Sequence, residues 1–528
     1  MLDMKRKYLF LIALLFSLTM PVEAQINFKR LGKQIRRSVE GQVEQKIKEK
    51  SARETRKALD KAEKKLDEVA QDAVSGTAKS KPGASSGRKS GGIANKKSGS
   101  NEIYVSAMRG SNRNNGSVEA PFKDLQKAVD EAPEGAVIMV AEGNYQGKLG
   151  VGYIEINKYL SIVGGFSDDF AEWDPLRFQT MIRPGAGASG TGGNHGLLDI
   201  YVKGKRKGVV LIDGLILDKG EMNCYFLSDS SNPKSGTPEG CETGRLDPPG
   251  FMSSGAPKME DKRTVSNQLI HGDVEGQVTI RNCVLLNGSH YGIQMGNMGG
   301  HFDIYNNLFL ANRMAACEVR GMIRDPGEAT VDFYNNTVMF VWRRDPMPGG
   351  KDMGYGFRYM TRVDANVYNN IFGCIDFAAL DRTYIDSDKR IEALRKTSAW
   401  DNLFFGNIEA DIALPSGGGK FLRVFAEHFE DVDQLIKYEG NHEVTEVEAA
   451  QLIENIEPAY LKGFLSMDGN SSMTHNPNSS ENILRSVLGM NQRGTSSYTV
   501  SMYMNRYPLD KAGKLFGAVR GYGAQIPE

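Results

Sequence analysis

The chain is 528 residues long, with 65 Lys and Arg against 65 Asp and Glu and a formal net charge of zero. That length exceeds one ordinary compact core and implies several domains or an elongated repeat. Forty per cent hydrophobic residues and a mean hydropathy of −0.40 exclude a polytopic membrane protein and a wholly disordered chain.

The first segment, 1–24, reads as a secretory signal. Lys5, Arg6 and Lys7 precede an apolar run from Tyr8 to Met20, and Val22-Glu-Ala24 offers a small-residue cleavage site before Gln25. The run is shorter than the ~20 residues of a membrane span, so the mature chain is expected to be exported with no transmembrane segment. Residues 25–74 form a charged amphipathic helix, with Leu31, Ile35, Val39, Val43 and Ile47 every four residues. Residues 75–100 are a Gly/Ser/Lys linker. The zero charge is a cancellation: residues 25–100 carry 20 basic and 9 acidic side chains, and residues 101–528 carry 42 and 54. A basic arm suited to an anionic cell-envelope partner therefore precedes an acidic body, which argues against a nucleic-acid binder.

The sequence changes character at Asn101. Ile103-Tyr-Val105 is a strand, Phe122 to Ala132 an amphipathic helix, and Ala136 to Ala141 a second strand. Beyond it the chain repeats itself. Val278-Thr-Ile-Arg-Asn-Cys-Val aligns with Phe302-Asp-Ile-Tyr-Asn-Asn-Leu, Val331-Asp-Phe-Tyr-Asn-Asn-Thr and Ala365-Asn-Val-Tyr-Asn-Asn-Ile, with Ser398-Ala-Trp-Asp-Asn-Leu a degraded copy. Asn282, Asn306, Asn335, Asn369 and Asp401 step by 24, 29, 34 and 32 residues, room for about three short strands and turns. In stacked coils each Asn would adopt a left-handed turn, with its amide bonded to the Asn of the next coil.

These features resemble the right-handed parallel β-helix, or pectate-lyase-like, superfamily. The stretch from Ile103 through Gly110-Ser-Asn to Ala120-Pro-Phe-Lys-Asp-Leu is similar to the opening of exported members, with a first strand, a polar loop and a capping helix. Glu142-Gly-Asn-Tyr145, Leu160-Ser-Ile-Val-Gly-Gly165 and a closing-strand motif at Phe516 to Gly523 extend the likeness. It implies an all-β solenoid over 101–419, with residues 420–528 as a C-terminal cap region containing helices. It also implies binding or cleavage of polysaccharide along a groove. Members include lyases that use Lys or Arg, often with calcium, hydrolases with paired Asp residues, and non-catalytic surface modules; the fold does not decide among them.

Stacking the strands that follow the Asn turns puts Gln294, Glu318 and Arg358 in one outward column, with Arg320 and His290 nearby. Glu318, Arg358, Arg320 and His290 are the candidate catalytic groups, a base, an acid and a uronate-binding cation. The bland alternative is a Glu318–Arg358 surface ion pair, worth about 1 kcal/mol or less. Gln294, Tyr291, Tyr355, Tyr359, Arg343 and Arg344 are candidate substrate contacts, and Trp342 a groove wall. No cofactor is required; calcium is the ion that a loop cluster of Asp381, Asp386 and Asp388 would take. Cys224 and Cys241 bracket a polar stretch that a disulfide would staple, whereas Cys283, Cys317 and Cys374 sit in apolar runs as buried thiols. The expected function is binding or degradation of polysaccharide at the cell envelope, as a lyase if catalytic. The alternative is an adhesion or structural module.

Overall fold

The computed structural model divides into Met1–Ile93 and Ala94–Glu528. It describes residues 101–147, 153–183, 195–204, 208–219, 225–228, 258–261, 266–288, 290–323, 327–342, 354–416, 421–465, 480–489 and 507–528. The expected signal segment, arm helix and linker, together with Cys224, Cys241, Arg343 and Arg344, lie outside these residues.

Each coil gives one strand to each of three nine-stranded sheets. The first sheet begins at Glu102–Val105 and Val137–Ala141 and ends at Asp364–Tyr368 and Thr397–Trp400; all its strands are parallel. The second begins at Gly143–Tyr145 and ends at His442–Glu443. The third runs from Ile154–Ile156 to Ala410–Pro415, where Phe421–Val424 adds antiparallel. This is a parallel β-helix, the expected fold. Apolar residues stack in columns inside it: Ile280, Ile304, Phe333, Val367 and Ala399 on the first sheet face Ile293, Cys317, Phe357, Leu380 and Ile412 on the third. Leu125, Ala128 and Val129 of the helix Leu125–Glu131 join that core at its start. Cys283, Cys317 and Cys374 are buried, and burial pushes the Cys283 thiol up to about 12. None is a ready nucleophile.

The Asn pairs divide their work. Asn282, Asn306, Asn335, Asn369 and Asp401 hold φ between +50° and +56°, so the first residue of each pair supplies the left-handed turn. The second makes the main ladder. Asn307, Asn336, Asn370 and Asn402 are fully buried, and each Nδ2 bonds the next: Asn307 to Asn336 at 3.1 Å, Asn336 to Asn370 at 3.3 Å, Asn370 to Asn402 at 2.9 Å. Asn370 also donates to the Phe333 carbonyl and accepts from the Asn336 N–H, both at 2.9 Å. Asn370→Ala should therefore cost about 3 kcal/mol through orphaned buried groups, whereas Asn369→Gly should be nearly neutral. Urea unfolding of the two variants checks the contrast.

Within residues 420–528 the short 3-10 helix Ala426–Asp431 and the residues after it lie at the solenoid end, whereas the later helices pack elsewhere. Glu446–Asn455, Pro458–Leu465 and Ser480–Val487 lie along its flank, where Leu452, Tyr460, Leu461 and Phe464 meet Met339, Phe340, Trp342 and Phe405. Second-sheet strands such as Leu308–Leu310 and Ile371–Ile375 are apolar at nearly every position, and both their faces are buried. Trp342, expected to wall a groove, is buried here against Tyr460 and Phe464. The end itself is closed by Ala426, Phe429, Val432 and Leu435. The motif Phe516 to Gly523 forms turns rather than a closing strand, and Gly523 donates its N–H to the Asn369 carbonyl at 2.8 Å. Its φ is +67°, and a Cβ there would sit 2.4 Å from Thr337 Oγ1, so only glycine fits.

Burial raises the Asp411 carboxyl to about 6 beneath this end closure, against bonds from Asn407 and the Ala426 N–H that pull it down. A folded pKa above the unfolded value means that this group's contribution is complete below about pH 4 and lost as pH rises through about 6. Asp411→Asn should flatten that fall in melting temperature; an unchanged slope would assign it to other groups.

Candidate active site

On the third sheet's outer face, one register position carries polar side chains through seven consecutive rungs. Glu155 pairs with Asp199, Asp199 with His271, His271 with Gln294, Gln294 with Glu318, Glu318 with Arg358, and Arg358 with Asp381. At about 4.8 Å per rung the column is roughly 30 Å long. Ala413 ends it. Strand alternation explains why these residues face out: Ile270, Ile293, Cys317 and Phe357 immediately before them point into the core.

The column has two halves of different chemistry. In the later half Gln268 donates to Gln294 at 2.9 Å, Gln294 donates to Glu318 at 3.0 Å, and Arg358 lies 3.4 Å from Glu318 and 2.9 Å from Asp381. The Glu318, Arg358 and Asp381 side chains are all 5% exposed or less. Burial alone would lower the Arg358 pKa, but the carboxylate of Asp381, with Tyr355 and Glu318 behind it, outweighs burial and raises it. Tyr384 lies over the guanidinium at 4.7 Å. This half is a buried network of one guanidinium between two carboxylates, not the surface pair of the bland reading.

The earlier half is an acid–base cluster. Asp199 accepts from the Gly196 N–H at 2.6 Å and sits 2.5 Å from His195 Nδ1 and 3.6 Å from His271 Nδ1. Tyr201 Oη is 3.0 Å from that same His271 nitrogen. Tyr201 is about 40% exposed, so its phenol opens outward while His271 stays buried behind it. Burial, then Asp199 and Asp273, raises the phenol pKa, which suits Tyr201 to carry a proton rather than lose one to water. The imidazole beside it is the natural acceptor for that proton, and Asp199 would stabilise the resulting cation.

Most expected site residues are present with altered roles. Gln294, Glu318 and Arg358 do share a column, and Arg320 lies 4.0 Å from Glu318 with its side chain about a third exposed. His290 does not join them: it is buried four residues upstream of Gln294, about 13 Å along the strand. Tyr291, Tyr355 and Tyr359 are buried and cannot offer ring faces to a sugar. Tyr359 follows Phe357 inward, while Tyr291 and Tyr355 pack with Ala315 and Ala378. Asp386 and Asp388 are each engaged by protein groups. Arg362 holds Asp386 at 2.6 Å and lowers its pKa, Asp388 caps the helix Lys389–Leu394, and Asp381 belongs to the column.

Sequence alignment on the Asn turns missed His195, Asp199, Tyr201 and His271, because their rungs precede the first Asn turn. The detectable signal was a single polar residue within an apolar strand, Leu197-Leu-Asp-Ile and Leu269-Ile-His-Gly, matching Gly292-Ile-Gln-Met. The first sheet's outer face offers a rival surface. Tyr305, Tyr334, Tyr368 and Trp400 stack at centroid separations of 4.8, 4.8 and 4.4 Å. Their faces are spent on one another, Lys437 covers Trp400 at 3.8 Å, and Arg281 bonds Tyr305. That column glues rungs together rather than presenting rings.

Among known proteins, a family model described as "Protein of unknown function (DUF1565)" matches residues 108–169, which span the capping helix and the first rungs. No curated protein matches the chain. It is similar to the solved GH136 lacto-N-biosidase from Eubacterium ramulus at 10% identity and TM-score 0.27, covering 65% of this chain and 55% of that one. The chain thus spans about half the length of that enzyme. It is also similar to a polygalacturonase from Erwinia carotovora ssp. carotovora, at 9% identity and TM-score 0.24, covering 55% and 75%. A rhamnogalacturonan lyase matches at 12% identity and TM-score 0.23, covering 68% and 93%. All these TM-scores lie below 0.5, so the fold assignment rests on the three parallel sheets themselves.

Proposed function

We propose that the chain is exported and acts on acidic polysaccharide at the cell envelope, binding it along the outer face of the third sheet. The observation that carries this reading is the cluster of His271, Asp199 and partly exposed Tyr201 beside the earlier half of the seven-rung column. The reaction that suits the cluster is β-elimination. The His271–Tyr201 pair takes the proton beside a uronate carboxylate, Arg320 pairs with that carboxylate, and the same pair returns a proton to the leaving glycosidic oxygen. The C–O bond breaks, a C=C bond forms, and no water or oxidant is consumed. An acidic body opposes long-range capture of a polyanion, so the basic arm 25–100 and the local cations supply the attraction: Arg320, and the exposed Lys203, 3.8 Å from Asp273, the cross-strand partner of Tyr201. Incubation with polygalacturonate, alginate and glycosaminoglycans should release unsaturated, ultraviolet-absorbing product from one of them. No such product from any would sink the lyase reading.

The buried Glu318–Arg358–Asp381 network favours a second reading, a non-catalytic surface module, because side chains paired with one another inside the fold suit a scaffold. Deleting residues 25–100 separates the two: lost envelope retention with unchanged turnover supports catalysis, and lost retention with no turnover in either form supports the module.

A further inference from the structure

A different cluster stands on the first sheet's outer face. His301 and Asp303 on the strand Gly300–Tyr305 and Asp332 on Ala329–Tyr334 each offer one ligand atom, and these atoms all lie within 4.8 Å of one another. His301 Nε2 is 3.1 Å from Asp303 Oδ1 and 3.9 Å from Asp332 Oδ2. An ion held tetrahedrally at about 2.0–2.1 Å sets its ligand atoms about 3.3 Å apart, between those two separations. Little movement is needed to enclose one.

The surroundings match what a metal site requires. The other ring nitrogen, His301 Nδ1, lies 2.7 Å from Thr330 Oγ1, so a proton on Nδ1 leaves Nε2 free to bind. Asn366 donates to Asp332 Oδ1 at 2.8 Å and turns Oδ2 toward the cluster. Asp303 and Asp332 are direct cross-strand partners, and like charges at that position repel. A divalent cation between them would replace repulsion with attraction. All three side chains are a quarter to a third exposed, which leaves an entry path and room for water ligands.

We propose that His301, Asp303 and Asp332 bind a divalent transition-metal ion of the zinc class, tying two adjacent rungs together. One imidazole with two carboxylates is a borderline donor set that suits zinc or manganese; calcium prefers oxygen ligands throughout. The site is separate from the third-sheet column, and neither proposal depends on the other.

The test is calorimetric titration of the full-length chain with zinc chloride. One saturable site is expected, weakened at least tenfold in His301→Ala and in Asp332→Asn. His428→Ala is the control, since its exposed imidazole lies beside Glu427 and Asp431 and should not matter. Zinc should raise the melting temperature of the parent chain but not of the two site variants. If Asp332→Asn does not fold by circular dichroism, Asp303→Asn replaces it. Absence of a saturable site in the parent chain, or equal affinity in parent and site variants, overturns the proposal.

Discussion

Arg358→Ala should destabilise the protein by about 3–5 kcal/mol. The substitution leaves Glu318 and Asp381 buried on the two rungs that flank position 358, with no counter-charge between them. Coulomb repulsion and the cost of desolvating two carboxylates then act together. Losing the guanidinium also uncovers the Tyr355 and Tyr384 rings that flank it. The triple change Glu318→Gln, Arg358→Met, Asp381→Asn removes every charge at once and should cost much less than Arg358→Ala alone. Urea unfolding at neutral pH measures both. A loss of about 1 kcal/mol or less for Arg358→Ala, the worth of a solvated pair, would show that water reaches the network.

His271→Ala should lower turnover by about 10²–10⁴-fold while leaving the fold intact. Tyr201→Phe should do the same through loss of a single hydroxyl, with little change in KM, because the phenol acts on the proton rather than on the bulk of the sugar. His195→Ala should be milder, since His195 bonds Asp199, whereas Tyr201 bonds His271. Initial rates of unsaturated product formation, with melting temperatures alongside, distinguish these from losses of stability. Full activity in both His271→Ala and Tyr201→Phe would remove the acid–base cluster from the reaction.

The parts of this structure that repeat were readable from the sequence, and the parts that depend on insertions were not. The Asn spacing located the rungs from Asn282 to Asp401 and put Gln294, Glu318 and Arg358 in register, because parallel pairing carries one register through every coil. It could not reveal that outward polar residues would be buried, since burial comes from loops and neighbouring chains of side chains, not from alternation. The same limit hid Asp199 and His271. Asp213-Gly214, with φ +65° at Gly214, makes the turn that Asn282 makes one rung later, and the long segment between Asp218 and Ser266 broke the spacing. Glycine serves as well as asparagine in that conformation, so Val210-Leu-Ile-Asp-Gly-Leu-Ile216 reads as an earlier rung but offers no Asn to carry the spacing back to Asp199 and His271. The second-sheet strands were apolar on both faces in plain view, and that pattern pointed to the flanking helices more directly than to an end cap.

A crystal structure of the full-length chain with a bound oligosaccharide from the most reactive polyuronate would test the third-sheet assignment directly. The account predicts sugar rings along the outer face between His195 and Arg320, with a uronate carboxylate at Arg320 and a glycosidic oxygen within hydrogen-bond reach of Tyr201. Sugar seated instead beside Tyr305, Tyr334 and Tyr368 on the first sheet, with the His271 cluster untouched, would contradict it.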